Sequence, residues 1–370
     1  MNKETRYGKI YIDLLQAIQS GKLKAGDKLP TEQELCAKYK VSRITGKKAL
    51  ELLAQQGMIY RIPGKGSFVS SEPPSAEPAA GTAPAGNVIG VVMSDFASDF
   101  GTEFIRGVQS ACAQRNGIVA ISCMYTTQEE ETREISRLIS NGVRGLIIMP
   151  VHGASYNPAI LTSVLNDFPL VLADRYLSGL SVPYVGTKNA ASSSHAVKYL
   201  FSMGHRRIAF ISSMPTTTAL KERLDGYVDA YAQSDNALDK QLIKTDIRYT
   251  MPGMNTAEIL RSDINNLKAF LTAHPEVTAV LAADYHIALV VQQAVNELGR
   301  KIPDDISLIC YDRVDGGRYA YTFIRQKQFE IGANAGRLLL ERIAGDKTPP
   351  KRILLDSELI PGDSVKRLQP

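Results

Sequence analysis

The sequence predicts a mixed α/β chain of two dissimilar parts, a small helical part ending in a hairpin and a large part built on parallel sheets. Three observations predict it. Residues 71–87 are almost all Pro, Ala, Gly, Ser and Glu, a composition typical of a linker. Residues 1–70 show three helical periods followed by two short β-like runs. Residues 88–370 alternate short, fully apolar runs with amphipathic stretches, which indicates parallel strands covered on both faces.

The small part has a readable order of elements. Apolar residues recur at helical spacing from Ile10 and stop at Gly21, which predicts a first helix. Thr31 opens a capping box for a second helix, and Ser42 is a suitable N-cap for a third that ends at Gly57. Two β-like runs follow, joined by Pro-Gly-Lys-Gly at 63–66. Three helices and a two-stranded wing make a winged helix-turn-helix.

The charge of this part fits nucleic acid. Residues 1–70 carry 13 basic and six acidic side chains, a net charge of +7, whereas the whole chain carries +5. A solvated, lysine-rich surface is the alternative explanation. In the third helix Arg43 could donate two hydrogen bonds to guanine, and Thr45 could contact a thymine methyl group. Nearby lysines could bind phosphates, and the tip of the wing could lie along a minor groove. The candidate DNA-binding residues are Lys28, Thr31, Gln33, Ser42, Arg43, Ile44, Thr45, Lys47, Lys48, Gly64, Lys65, Gly66 and Ser67.

Over residues 5–70 the chain resembles the winged-helix domain of the GntR family. The matching elements are Lys28-Leu29-Pro30, Val41-Ser42-Arg43, Lys48-Ala49-Leu50, Gln56-Gly57 and Gly64-Lys65-Gly66-Ser67-Phe68-Val69. Gln33 and Lys47 stand where the family often has arginine, which implies an operator unlike the usual family sites. Gly46 lies inside the third helix, at a cost of about 0.8–1 kcal/mol relative to alanine.

The large part places polar residues at strand ends. Six apolar runs end in a polar residue or proline, and aspartates follow four of them at positions 95, 174, 284 and 312. In parallel sheets ligands bind beyond the carboxyl ends of the strands. About 280 residues is long for one such sheet, so we expect two lobes with a cleft between them.

Residues 88–370 resemble the effector domain of LacI/GalR repressors, which is similar to periplasmic sugar-binding proteins. The resemblance rests on 104–108, 145–147, Asp174-Arg175, 203–208, 223–227, 302–307 and 324–326. It implies a first lobe of about 88–187 and 325–346, and a second of about 188–324 and 347–370. Joined to the GntR-type head, this domain looks most like that of arabinose-responsive transcriptional repressors.

The resemblance also implies ligand-binding positions. Arg223 matches an arginine that holds ligand oxygens, with a surface salt bridge as the alternative role. Aromatic rings for stacking on a sugar face are expected among Phe96, Phe100, Tyr285 and Tyr311, for which core packing is the alternative. Two sites depart from the family, since a tyrosine follows Asp284 and an arginine follows Asp312, and this leaves an acidic or larger ligand open. The candidate ligand-binding residues are Phe96, Phe100, Asp174, Arg175, Arg223, Asp284, Tyr285 and Asp312.

The expected function is a DNA-binding regulator, a repressor of carbohydrate genes. A homodimer would bind a palindromic operator, and a sugar such as a pentose would close the lobes and lower operator affinity. No export signal and no long apolar run is present, so we expect a cytoplasmic protein without membrane contact. No catalytic or metal motif is present, so we expect no enzyme, no metal and no cofactor. The alternative is a cytoplasmic solute-binding module without operator-specific DNA binding.

Overall fold

The structure is a computed structural model. The chain divides into two units, an N-terminal and a C-terminal one, and each is described by itself. The predicted linker lies outside the described residues except for Asn87. The structure describes residues 6–55, 58–62, 65–70, 87–94, 99–123, 127–151, 157–313 and 321–368.

The N-terminal unit has the predicted order of elements. Helix α3 packs against both α1 and α2, and the wing follows it as an antiparallel pair of strands. The core is formed by apolar side chains of the three helices, including the predicted Ile10, Leu14 and Leu53 together with Leu35. The elements are α1 (Arg6–Gln19), α2 (Glu32–Tyr39), α3 (Arg43–Gln55), β1 (Ile59–Ile62) and β2 (Gly66–Val69).

The turn between α2 and α3 is set by local signals. The predicted capping box is present: Thr31 Oγ1 accepts a hydrogen bond from the Glu34 backbone, and the Glu34 side chain accepts one from the Thr31 backbone. Helix α2 ends at Tyr39, and its C-cap residue Lys40 adopts a left-handed conformation with φ of 51°. Gly46 of α3 is buried against α2, and a Cβ there would lie 3.4 Å from the carbonyl oxygen of Glu32. A methyl group therefore fits this site.

The first lobe of the C-terminal unit is a parallel sheet with the order β13-β7-β6-β5-β3-β4. Its strands are short and apolar because helices cover the sheet, and α11 packs along α4. The elements are β3 (Asn87–Val92), α4 (Asp99–Ala113), β4 (Gly117–Ser122), α5 (Gln128–Ser140), β5 (Leu146–Ile148), α6 (Pro158–Leu165), β6 (Leu170–Ala173), β7 (Tyr184–Thr187), α11 (Gln328–Ile343) and β13 (Arg352–Leu355).

The second lobe has the sheet order β14-β12-β11-β10-β8-β9, in which only β14 pairs antiparallel among the described strands. His205 is buried, and its ring nitrogens lie 3.0 Å from Thr278 Oγ1 and from the Lys366 carbonyl oxygen, a structural role. The elements are α7 (Asn189–Ser202), β8 (Ile208–Ser213), α8 (Thr218–Ala232), a 3₁₀ turn (Lys240–Leu242), β9 (Ile243–Ile247), α9 (Ala257–Ala273), β10 (Ala279–Ala282), α10 (Tyr285–Glu297), β11 (Ser307–Tyr311), β12 (Thr322–Arg325) and β14 (Glu358–Ile360).

The chain crosses between the lobes after β7, after β12 and after β13. The last crossing corrects the expected boundary, because β13 pairs with β7 of the first sheet although 347–370 was assigned to the second lobe. The crossings are tied together by hydrogen bonds. Thr187 Oγ1 donates to Gln326 Oε1 at 2.7 Å, and Lys188 Nζ donates to Asp356 at 2.9 Å.

Two negative findings concern the described residues only. None of their helices is long and apolar enough to span a bilayer. No group of three or more His, Cys, Asp or Glu side chains among them is arranged to hold a metal ion.

Candidate functional sites

Helix α3 begins with a first turn that carries the predicted base-reading residues. Ser42 Oγ accepts a hydrogen bond from the Thr45 backbone N–H at 3.4 Å, and the two hydroxyl oxygens lie 2.8 Å apart. The Arg43 side chain is 74% exposed, and its Nε lies 3.6 Å from a carboxylate oxygen of Glu32 in α2. An exposed ion pair of this kind contributes little energy. Because the ion pair with Glu32 is weak, the Arg43 guanidinium remains available to another partner.

The other predicted residues of α2 and α3 occupy less uniform positions. Lys47 and Lys48 are exposed, and Lys47 Nζ lies 3.6 Å from the carboxylate of the glutamate four residues later. Ile44 lies in α3, but its side chain is outside the described part of the chain. Gln33 is exposed in the first turn of α2. The Thr31 hydroxyl bonds within its capping box, so a DNA contact would compete with the cap.

Lys28 lies beside the wing. Its segment forms a bridge with β2, and the next backbone N–H donates to the Ser67 carbonyl oxygen at 2.9 Å. A Cβ on Gly66 would lie 2.9 Å from Lys28 Cε, and the φ of Gly66 is +123°, so this position requires glycine. Lys65 is exposed at the turn, while Gly64 lies outside the described residues. Lys28 and Lys65 therefore place two positive charges around the wing.

Two exposed residues of the wing strand β1 were not predicted from the sequence. Tyr60 is 44% exposed and stacks on Phe68 with 5.7 Å between ring centroids, and Arg61 beside it is exposed. Burial does not alternate along β1, where both of these adjacent residues are exposed, so strand periodicity would not have identified them.

In the C-terminal unit Arg223, in α8, is the best-defined predicted ligand residue. It is only 7% exposed. Its Nε donates to Asn189 Oδ1 at 2.9 Å, its Nη1 donates to the Ala283 carbonyl oxygen at 2.6 Å, and its guanidinium carbon lies 3.8 Å from the Tyr311 ring centroid. Within the described residues Nη2 makes no hydrogen bond. The surroundings therefore fix the guanidinium and leave one amino group to donate.

Asp312 directly follows β11, and its hydrogen-bond partners lie in the segment after β12, where the chain crosses to the first lobe. Its two carboxylate oxygens accept hydrogen bonds of 2.6 Å from the side-chain amides of Gln326 and Gln328. Burial raises the pKa of Asp312 to about 6, although the charge of Arg223 and the Gln326 hydrogen bonds oppose this; the negative charge of Asp174 raises it further. The carboxyl group of Asp312 is therefore influenced by the charge of Arg223 in its own lobe and by that of Asp174 in the other lobe.

Asp174 of the first lobe is placed like Asp312 of the second. Each directly follows a strand, has a left-handed backbone with φ of 60° or 57°, and donates its N–H to the next strand at 2.9 Å. Arg175 lies 3.4 Å from the Asp174 carboxylate and donates to the Pro150 carbonyl oxygen at 3.2 Å. Aspartate tolerates this conformation better than most residues. The carboxyl ends of both sheets thus carry matched carboxylates.

The remaining predicted ligand residues have structural contacts. Asp284 caps α10 by accepting a hydrogen bond from the backbone N–H three residues later at 2.8 Å. Tyr285 is 8% exposed in the second-lobe core, with its ring 6.0 Å from that of Tyr321. Phe100 packs against the first-lobe core, and Phe96 lies outside the described residues. Core packing accounts for the two described rings, and a ligand role for them stays a prediction.

Three partners of the charged residues were not predicted. Asn189 orients Arg223, while Gln326 and Gln328 bind Asp312. Gln326 lies in a segment that carried the resemblance to LacI/GalR repressors, but nothing in its spacing indicated the role. Asn189 is 34 positions from Arg223 in sequence, so no local pattern could have joined them.

Comparison with known proteins identifies both units. Residues 6–69 match the family described as bacterial regulatory proteins, gntR family, and residues 197–365 match the periplasmic binding protein-like domain. The chain therefore joins a GntR-type DNA-binding domain to a periplasmic-binding-protein-like domain. This confirms the fold and the resemblance expected from the sequence.

The regulator is similar to known proteins over its whole length. It is 26% identical to the arabinose metabolism transcriptional repressor of Geobacillus stearothermophilus over 376 aligned positions, 98% of both chains. It is 28% identical to the HTH-type transcriptional repressor CytR of Escherichia coli K12, covering 75% of this chain and 79% of that one. These relatives are regulators, which confirms the expectation that the chain is not an enzyme.

Solved structures support the fold. A transcriptional regulator CelR–cellobiose complex matches with a TM-score of 0.65 and 23% identity, over 91% of this chain and 100% of that one. A LacI family transcriptional regulator from Enterococcus faecium with bound ribose matches with a TM-score of 0.63 and 21% identity, over 76% and 100%.

Proposed function

We propose that this regulator represses carbohydrate genes and that a neutral sugar, bound between the lobes of its C-terminal unit, releases it from DNA. The observation that carries the proposal is geometric: Asp174 and Asp312 directly follow strands of the two lobes, and Arg223 is bound at the same end of the second sheet through the Ala283 carbonyl oxygen, which directly follows β10. Two acceptors and one donor of this kind suit the hydroxyl groups of a sugar. The names of the relatives, which include arabinose metabolism repressors, support the same class of effector.

The contacts favour a neutral effector over the acidic one that the sequence left open. A carboxylate or phosphate is best held by an unpaired guanidinium fork. Arg223 already gives two of its donors to Asn189 and Ala283, and Arg175 is paired with Asp174. The one amino group left on Arg223 suits a single hydroxyl oxygen.

On the DNA side we propose direct base contact by Arg43 and Thr45 and phosphate contact by the exposed lysines of α3 and the wing. The capped first turn of α3 supports this, since the N-terminal turns of such helices read the major groove. A regulator that acts on operators is proposed to be cytoplasmic.

We also propose that a homodimer binds a palindromic operator. The edge strand β4 supports dimerisation, because Ile118 and Ile121 on it are 58% and 40% exposed. Exposed apolar side chains on a sheet edge are typical of an interaction surface. Light scattering of the full chain at increasing concentration tests the dimer, and a monomer throughout would contradict it.

A panel of sugars tests the effector class. Thermal-shift measurements with L-arabinose, D-ribose, cellobiose and D-glucuronate should show stabilisation by at least one neutral sugar and a smaller effect of the uronate. Calorimetry on Arg223→Ala serves as the control and should show no binding. Stabilisation by the uronate alone, or by no sugar in a broad panel, would contradict the proposal.

A further inference from the structure

Tyr176 connects the two lobes. It lies in the segment after β6 of the first lobe, and its contacts are made by α8 of the second lobe. Thr218 Oγ1 accepts a hydrogen bond from the Tyr176 backbone N–H at 3.0 Å and lies 3.2 Å from the Tyr176 carbonyl oxygen, to which it donates. The Tyr176 hydroxyl donates to Glu222 Oε1 at 2.9 Å. We call Tyr176, Thr218 and Glu222 the Tyr176 clamp.

The Tyr176 ring is held before it reaches the other lobe. It meets the Tyr184 ring edge-on with 5.0 Å between centroids, and the Arg352 guanidinium lies 4.2 Å from the centroid of the Tyr176 ring. Both neighbours belong to strands of the first sheet. Burial raises the pKa of Tyr176, so the hydroxyl stays a donor at neutral pH. The first lobe therefore presents a fixed donor to α8, which lowers the entropic cost of the contact.

The clamp adjoins the effector residues from both sides. Tyr176 follows Asp174 by two positions, and the Tyr184 hydroxyl donates to the Asp174 carbonyl oxygen at 3.0 Å. Glu222 directly precedes Arg223 in α8. Asp174 belongs to the first lobe and Arg223 to the second, so the spacing between their side chains depends on how the lobes are held. The clamp is thus a contact between the lobes that adjoins both residues in the sequence.

We propose that the Tyr176 clamp holds the lobes at the separation at which Asp174 and Arg223 reach one effector molecule together. Tyr176, Thr218 and Glu222 are then positioning residues for effector binding, and the inference rests on the proposed function in placing the effector between the lobes. An effector that needs both lobes binds more weakly when the clamped arrangement is less populated. Because the clamp sets a population, its loss weakens all effectors by the same factor and leaves the preference among them unchanged.

The first test uses Tyr176→Phe in the full chain. This change removes the hydroxyl and keeps the ring between Tyr184 and Arg352. Calorimetry with L-arabinose and D-ribose should show affinities about tenfold weaker for each sugar that the wild type binds, as expected for a lost hydrogen bond to a charged group. The ratio of the two affinities should not change. An affinity within twofold of wild type, or a changed ratio, would overturn the proposal.

A matched control separates positioning from loss of stability. Tyr227→Phe also removes one hydroxyl, which donates to the Ile208 carbonyl oxygen at 2.8 Å within the second lobe. It should lower the melting temperature and leave sugar affinity within twofold of wild type. If Tyr227→Phe weakened sugar binding as much as Tyr176→Phe does, the clamp would have no specific role.

The second test needs no sugar and so stands apart from the identity of the effector. Hydrogen exchange of the sugar-free protein should show the Tyr176 amide protected, because Thr218 Oγ1 accepts its proton. Thr218→Val keeps the branched shape and removes both hydrogen bonds to the Tyr176 backbone, so exchange in the peptide carrying Tyr176 should rise at least tenfold, as expected for two lost hydrogen bonds, with strand β7 unchanged. An unprotected Tyr176 amide in the wild type would overturn the clamp, whichever effector the protein binds.

Discussion

Arg43 of the DNA-binding unit and Arg223 of the effector unit are the same residue type under opposite conditions. Arg43 is 74% exposed and has a carboxylate of α2 at 3.6 Å. Arg223 is 7% exposed, donates two hydrogen bonds and lies over an aromatic ring. Arg43 can exchange its carboxylate partner for a DNA base at little cost in free energy. Removal of Arg223 would leave buried polar groups without their partner and so would destabilise the fold. Substitution of Arg43 should therefore change binding alone, and substitution of Arg223 should change binding and stability together.

Arg223→Ala should have the largest effect. It removes the proposed donor to the effector and leaves Asn189 and the Ala283 carbonyl oxygen without their partner. We expect no detectable sugar binding and a free energy of unfolding lower by roughly 3 kcal/mol, with operator affinity retained. Calorimetry, urea unfolding and DNA binding measure the three. Normal stability in this variant would break the contrast between the two arginines.

Arg43→Ala should affect DNA binding only. Loss of one bidentate base contact is expected to weaken operator binding by about 10- to 100-fold, while the melting temperature stays the same. Fluorescence anisotropy on operator and scrambled DNA measures this. Lys47→Ala is the control and should weaken both DNAs alike and lower the salt slope by about one. Equal losses on both DNAs for Arg43→Ala would make it a phosphate contact.

The pH dependence of the effector unit should reveal Asp312. Burial raises its pKa from 3.8 to about 6 in the folded protein, so the folded state holds this proton more tightly than the unfolded state does. The contribution of Asp312 to stability is then greatest below pH 4 and declines by about 2 kcal/mol as pH rises to 6.

Urea unfolding between pH 4 and 7 measures this decline, and Asp312→Asn is the control because it cannot titrate. If the free energy of unfolding changed with pH equally in the wild type and the variant, the pKa of Asp312 would be ordinary. Burial of its carboxyl group would then make no contribution to the pH dependence of stability.

The smallest effect is expected at Gly46. A methyl group there would lie 3.4 Å from the Glu32 carbonyl oxygen, an ordinary contact, so Gly46→Ala should recover part of the helix propensity lost to glycine. We expect a gain of about 0.5–1 kcal/mol in stability and unchanged operator affinity. Thermal unfolding measures the stability and fluorescence anisotropy measures the operator affinity. A loss of stability would mean that α2 and α3 are too close for a side chain at this position.

The two units also differ in how far sequence predicts them. In the DNA-binding unit the signals are local: the capping box of Thr31 and Glu34 spans four residues and is present as predicted. In the effector unit the strands could be predicted because they are short apolar runs, and the aspartates after β6 and β11 could be predicted because each directly follows such a run.

The partners of those aspartates and of Arg223 could not be predicted. Asn189 and Arg223 lie 34 positions apart within the second lobe, and Thr187 meets Gln326 only where two crossings between the lobes lie side by side. The expected end of the first lobe was wrong for a similar reason, because the pairing of β13 with β7 joins residues about 170 positions apart, which no local pattern encodes.

The central claim is that a sugar between the lobes controls the hold of α3 on DNA. Fluorescence anisotropy of the full chain on its own upstream DNA, without sugar and with a saturating neutral sugar such as L-arabinose, tests it most directly. The account predicts operator binding weakened by about 5- to 150-fold in the wild type and no change in Arg223→Ala. Operator affinity unaltered by every sugar that binds the wild type would contradict it.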